Sequence, residues 1–257
     1  MVTMTVKEKE KGAIGNLVND FQQEMDKCCK HLFNIQNQYE SIRKLKEKLT
    51  KRDLICHIDF SENYSCKYNE ENQSIHLGAS QCQVSLHTGV LYKENAIQSF
   101  CSLSDNLKHG PVGIWAHLKP VLKYAKDKYP EIQNLYFVSD GPTTQYRCKD
   151  NFYLLSTLPF EEGFKCDWSF MEAGRGKGAP DGIGAVIKRA ADGAVLHGED
   201  IVNAVSMYDT LTKKGIAPHL FLITDDQFEE QEKTAPKDLQ AVNGTMKIHQ
   251  QTVTRSW

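Results

Sequence analysis

The sequence predicts an α/β fold: a mixed sheet covered by helices on both faces, preceded by one long helix. Three observations carry this reading. Residues 12–50 repeat apolar positions at alternating spacings of four and three. Short apolar or alternating runs begin near Asp53. From about residue 112 such runs alternate with helical patterns.

The first helix is read from Ile14, Val18, Phe21, Met25, Cys28, Leu32, Ile35, Tyr39, Ile42 and Leu49, a heptad seam with one polar break at Lys46. A seam of this kind needs cover. The expected cover is a partner helix, from the same chain or a second copy, or the body of the protein. LICHIDF (54–60) then reads as a strand ending at Asp59. SIHLGAS (74–80) and QVSLHTGVLYK (83–93) read as two more. Residues 112–130 are helical in pattern, with Pro120 expected to set the first turns apart. NLYFVSD (134–140) is a strand closing on Asp140, 149–158 a helix, and 164–173 a strand. Helices follow from Asp181 to 195 and over 199–215, the second closing on Lys-Lys-Gly. HLFLIT (219–224) is a last short strand. The expected organisation is a long helix over 1–52, a core over 53–230, and a polar tail over 231–257, expected to be a truncated end.

Composition narrows the function. The chain has 257 residues, 25% of them charged, and a formal net charge of −2. That balance is ordinary for a globular protein and mildly disfavours a bare nucleic-acid binder. No apolar run approaches the roughly 20 residues needed to span a bilayer, and the first twelve residues lack the apolar core of a secretory signal. No membrane association is expected. The eight cysteines include no C-x-x-C pair, so reduced thiols are expected. RKLKEKLTKR (43–52) carries six cations and reads either as a phosphate contact or nuclear address, or as a solvated helix face.

Three aspartates occupy comparable places: Asp59 and Asp140 after strands, Asp181 opening a helix. If the first and fourth strands are neighbours, these carboxylates converge on one sheet edge. Oxygen-rich clusters of this kind suit Mg²⁺ or Mn²⁺, and a pair of ions can activate a water or hydroxyl against a phosphodiester. The plain alternative is turn and helix-cap chemistry. Glu172 is the rival third acid. The glycine-rich stretch EAGRGKGAPDG (172–182) is not a Walker A loop, because Met171 and Gly178 stand where Gly and Ser or Thr are required. It reads as a cationic connection before a helix N-terminus, suited to a DNA phosphate.

The β-β-β-α-β-α-β-α order with these acids resembles the ribonuclease-H-like fold of transposases and retroviral integrases, a five-stranded mixed sheet with flanking helices. HIDFSENYSCKY (57–68), SIHLGASQCQVSLHTGVLY (74–92), FVSDGPTTQYRCKDNF (137–152) and EAGRGKGAPDGIGAVIKR (172–189) look like the catalytic core of eukaryotic DNA-transposon transposases. The resemblance covers residues 53 to about 250. It implies metal-dependent DNA cleavage and strand transfer in the nucleus (a cytoplasmic protein being the alternative), with Asp59, Asp140 and Asp181 as catalytic acids holding two Mg²⁺ or Mn²⁺ ions. Arg175, Lys177, Lys188, Arg189 and Arg147 are the expected DNA contacts. Arg175 stands where related loops carry a histidine. The alternative is a catalytically inactive, transposase-derived module that binds DNA or protein. Association of copies through the first helix is a further expectation. His57 shares a strand face with Asp59 and is placed near the metals.

Overall fold

The computed structural model describes residues 11–69, 82–142, 144–172, 178–234, 236, 238–240 and 242–253. The element order is α1 (Ile14–Glu47), β1 (Asp53–Ser65), β2 (Gln83–Lys93), β3 (Ala96–Ser104), α2 (Pro111–Lys128), β4 (Asn134–Ser139) and α3 (Lys149–Glu161). It continues with β5 (Lys165–Phe170), α4 (Ala179–Val195), α5 (Ala204–Lys213), β6 (His219–Leu222), α6 (Asp225–Thr234) and β7 (Gln250–Val253). The expected strand over 74–80 lies outside the described residues.

The strands form one mixed sheet of seven, in the order β6-β3-β2-β1-β4-β5-β7, where five were expected. β1, β2 and β3 are an antiparallel meander, while β4 runs parallel to β1 and β5 parallel to β4. β6 adds in parallel beyond β3, and β7 closes the other edge antiparallel to β5. β7 comes from the stretch read as a polar tail.

Side-chain alternation along β1 sorts the molecule into layers. Leu54, Cys56 and Ile58 point into the larger core, with Ile114, Trp115 and Leu118 of α2, Leu154 of α3, and Trp168 of β5. Ile55 points the other way, to Leu49 beyond α1, Val138 and Met171. On that second face Leu86, Val90, Cys101 and Leu103 pack beneath Ile183 and Ile187 of α4 and Met207 and Leu211 of α5.

β3 went unread because polar residues interrupt its apolar run, and Gln98, Ser102 and Ser104 find partners distant in sequence. Ser102 Oγ lies 2.8 Å from His117 Nδ1. Gln98 Oε1 accepts from Tyr124 Oη at 3.0 Å. Satisfied polar groups inside a sheet erase the alternation that marks a strand. α2 runs unbroken through Pro120, so the expected separate first turns do not exist. Proline removes one helical hydrogen bond, but Ile114, Trp115, Leu118, Val121, Leu122 and Ala125 are all buried along the helix, and that burial dominates.

The lower half of α1 docks on the body. Ile42, Leu45 and Leu49 pack on Ile55, Val138 and Met171. The polar break Lys46 sits with Nζ 3.5 Å above the centre of the Tyr92 ring. Gln38 Nε2 donates to Phe170 O at 3.1 Å, and its Oε1 accepts from Glu172 N at 2.9 Å. The cations of the basic run are partly absorbed within the helix, as in Lys44–Glu40 at 2.8 Å and Arg43–Glu47 at 3.4 Å. The eight cysteines are free thiols. Among the described residues no helix is long and apolar enough to cross a membrane.

Candidate functional site

The three aspartates reach one edge by three routes. β1 does not end at Asp59 as expected; it continues to Ser65, because β2 pairs with it along most of that length, Asp59 opposite Thr88. Asp59 therefore projects from inside a strand, on the α1 and α4 face with His57 and Ser61. β4 runs parallel with His57 beside Val138, so two residues further on Asp59 and Asp140 are level on adjacent strands. Asp140 is the first residue after β4.

Asp181 arrives on the first turn of α4. Pro180 sits in that turn without needing an N–H, and Asp181 Oδ2 accepts from Gly178 N at 2.7 Å, closing the helix N-terminus. One turn later Gly184 rests on β1. A Cβ at that position would come within 2.5 Å of Ser61 Oγ, so only glycine lets α4 approach so closely. The D-G-I-G spacing thus sets the acid over the strand that carries Asp59.

Electrostatics reports the convergence. Burial pushes the Asp59 carboxyl up to about 7, and the charges of Asp140 and Asp181 push in the same direction. Asp140 is raised by burial and by Asp181, against the opposing pull of the Arg147 guanidinium. Asp140 Oδ1 is buried with no hydrogen-bond partner, an uncommon state for a carboxylate oxygen. Tyr146 is fully buried below the two acids, and its hydroxyl has no hydrogen-bond partner either. Burial holds that phenol well above its ordinary range, and the charges of Asp59 and Asp140 add to the effect. His57 is kept neutral down to about 4 by burial and by Lys46, with Asp181 acting in the opposite sense. Among the described residues no three His, Cys, Asp or Glu side chains already stand close enough to hold an ion.

Glu172, the rival third acid, has other work. Its carboxylate accepts from Asn34 Nδ2 at 2.9 Å and lies 3.1 Å from His31 Nδ1, with His249 Nε2 at 3.8 Å. Burial raises its pKa, but the hydrogen bonds from Asn34 and His31 outweigh that and leave it lowered. It is a clamp for α1.

The expected DNA contacts divide. Arg175 and Lys177 lie outside the described residues. Arg147 is a correction: it is buried, Nη2 donates to Met171 O at 2.8 Å, and its guanidinium lies 5.7 Å from the Phe170 ring centre. Gly141 makes room for it, since a Cβ there would meet Arg147 Nε at 2.0 Å. Arg147 therefore props Asp140 from below instead of facing solvent. Lys188 is half-buried on α4 with Nζ 3.9 Å from Glu62 Oε2, and Arg189 is exposed beside it. Ser61, Tyr146 and Gly184 were not singled out for the site. Only Gly184 left a mark in the sequence, as a glycine one turn after the acid.

The comparisons with known proteins are brief. Residues 36–256 match the model of a family described as a domain of unknown function, DUF8701. No curated protein and no solved structure matches the chain. The match spans the C-terminal third of α1 and the whole sheet, and the chain belongs to the DUF8701 family.

Proposed function

We propose that the domain is a ribonuclease-H-like, transposon-derived transposase core that cleaves DNA phosphodiesters and transfers strands with Mg²⁺ or Mn²⁺. The observation that carries this is the Asp59–Asp140–Asp181 edge, where the charges of Asp140 and Asp181 raise the cost of ionising Asp59, that of Asp181 raises the cost of ionising Asp140, and one buried Asp140 oxygen has no partner. Carboxylates that feel one another's charge at one sheet edge suit a hard divalent cation. The sheet supports the same reading: it is mixed, and β1 and β4 are adjacent, which is the condition for Asp59 and Asp140 to share an edge.

In this reading Asp59 and Asp140, on adjacent strands, and Asp181 on α4 would hold the ions. Bound ions would neutralise the developing charge on phosphate and lower the pKa of an attacking water or hydroxyl. The protein's part is positional. Tyr146 and Arg147 fix the floor beneath Asp140. Gly184 and Ser61 fix the height of α4. Asp181 gives up its bond to Gly178 when it turns to the edge, so the helix cap is the element that must yield. Lys188 and Arg189 on α4 face the backbone of the bound strand, with Arg175 and Lys177 just before α4 in the sequence.

The test is cleavage of labelled DNA, RNA and hybrid duplexes in Mn²⁺, by wild type and by the triple Asp→Ala variant. Metal-dependent cleavage of DNA that the triple variant loses is the expected result. Equal activity in both proteins would sink the proposal. A second reading, an inactive derivative that binds DNA or protein, rests on one observation: the cap bond already engages Asp181. It predicts DNA retention with no cleavage in either protein.

A further inference from the structure

α1 carries one apolar seam with two fates. Toward its C-terminal end the seam meets the body: Ile35 is 7% exposed, Ile42 half-buried and Leu49 8% exposed, with Tyr39 the exception at 47%. Upward, the same seam runs bare through Leu32, Met25, Phe21, Val18 and Ile14, with Phe21 64% exposed. Every described residue from 11 to 30 is exposed. At 1.5 Å per residue the bare stripe is roughly 28 Å long. Gly15, Asn16, Val18 and Asn19 are weak helix formers, so propensity alone holds this segment poorly.

We infer that the bare half of α1 pairs with the same half of a second copy, antiparallel, in the register that sets Phe21 against the second copy's Met25. Three features select this occupant. First, the repeat on the stripe is the two-helix repeat: Ile14, Phe21 and Cys28 occupy one seam position, and Val18, Met25 and Leu32 the other. Antiparallel pairing about the middle of the stripe sets the two kinds opposite each other: Ile14 to Leu32, Val18 to Cys28, Phe21 to Met25. It uses the bare stripe from end to end and nothing below it. Second, a parallel pair is excluded by the body. The seam below Leu32 already lies on its own sheet, so parallel helices would drive two bodies into one place. Antiparallel pairing sends them to opposite ends. Third, the positions flanking the seam are nearly uncharged. The acid among them, Glu24, is paired with Lys27 on its own helix at 2.5 Å, so no charge pattern there selects against a copy of itself.

The contact is isologous, as a two-fold dimer requires. It places two sheets roughly a helix length apart, with both carboxylate edges outside the interface. The pairing stands on α1 alone and does not depend on what the carboxylate edge does.

The experiment is light scattering on the full chain at tens of micromolar, with Phe21→Glu and Met25→Lys made separately and then mixed. Both residues are solvent-exposed, and circular dichroism checks that each variant keeps its fold. Wild type is expected to be dimeric, and each single variant at least ~100-fold weaker in self-association. Mixing Phe21→Glu with Met25→Lys restores a heterodimer, because the introduced carboxylate of one chain then meets the introduced ammonium of the other across the antiparallel seam. A monomeric wild type overturns the inference and leaves the stripe to a different partner. Variants that stay dimeric overturn it as well, and a mixture that fails to associate overturns the antiparallel register.

Discussion

The two faces of β1 and β2 carry titratable groups of opposite kinds, and the difference separates a site from a core. On one face stand Asp59, Asp140 and Asp181. On the other stand His87, His109 and His117, gathered around Phe60 with ring centroids 4.2 to 5.5 Å away. Burial drives Asp59 and Asp140 up, Asp59 to about 7, and drives the three histidines down, His87 to about 3. The histidines are neutral among aromatic rings, with Phe228 beside His117; His109 and His117 each have a hydroxyl partner, in Ser85 and Ser102, while neither ring nitrogen of His87 has one. The carboxylates are like charges. Asp140 and Asp181 oppose the ionisation of Asp59, and Arg147 offsets part of the cost at Asp140. Burial alone does not mark a site; like charges that converge at an open edge do.

That contrast can be broken by experiment. The largest effect is expected on chemistry: Asp59→Asn or Asp140→Asn should lower Mn²⁺-dependent DNA cleavage on the order of a hundredfold or more, read from initial rates. Changes on the histidine face should alter stability and leave the cleavage rate per folded molecule unchanged.

Next comes acid sensitivity. A buried histidine whose folded pKa lies below its unfolded value contributes stability above about 6.5, and that stability is lost as pH falls toward the folded pKa. For His87 that window runs from about 6.5 to about 3, and His117 is lowered well below its ordinary value by burial in the same way. Between pH 7 and 5 each should cost about 2 kcal/mol in denaturant titrations. His87→Phe should flatten its share.

The carboxylate face has the opposite sign. Asp59 is raised in the fold from 3.8 to about 7, so its ionisation penalises the fold above about pH 4 and fully above 7. Without metal at pH 8, Asp59→Asn should therefore stabilise the protein, on the order of 2 kcal/mol after allowance for its partial exposure. At pH 4 the gain should vanish. Adding Mn²⁺ should stabilise wild type and not the variant.

A smaller effect tests the placement of the third acid. Gly184→Ala puts a Cβ on Ser61 and should lift α4, costing about 1–3 kcal/mol and weakening metal binding. The smallest is Glu172→Gln. It should loosen α1 by about 1 kcal/mol and leave metal affinity as it was. A large loss of metal affinity there would make Glu172 the third ligand.

Much of this was legible in the sequence where pattern and physics agree. β2 was read to the residue because Val84, Leu86, Val90 and their neighbours are apolar and β-branched. β4 closing on Asp140 and α4 beginning at Asp181 came from a short apolar run and a proline-led turn. Part of what was missed comes from polar residues bonded to partners distant in sequence. Ser102 and Gln98 hid β3 in this way, while β7 is a short run led by Gln250 and Gln251 with no apolar pattern of its own. Arg147 looked like a phosphate contact because nothing local says that Gly141 opens a slot for it. Glu172 looked like a ligand because its partners, His31 and Asn34, lie far back on α1.

The central claim is that the three aspartates form one cation site. Calorimetric titration of Mn²⁺ into the chain at pH 8 tests it most directly, alongside the three single Asp→Asn variants and Glu172→Gln. The account predicts binding by wild type and Glu172→Gln, and loss in each aspartate variant. Equal heats from wild type and all three aspartate variants would contradict it.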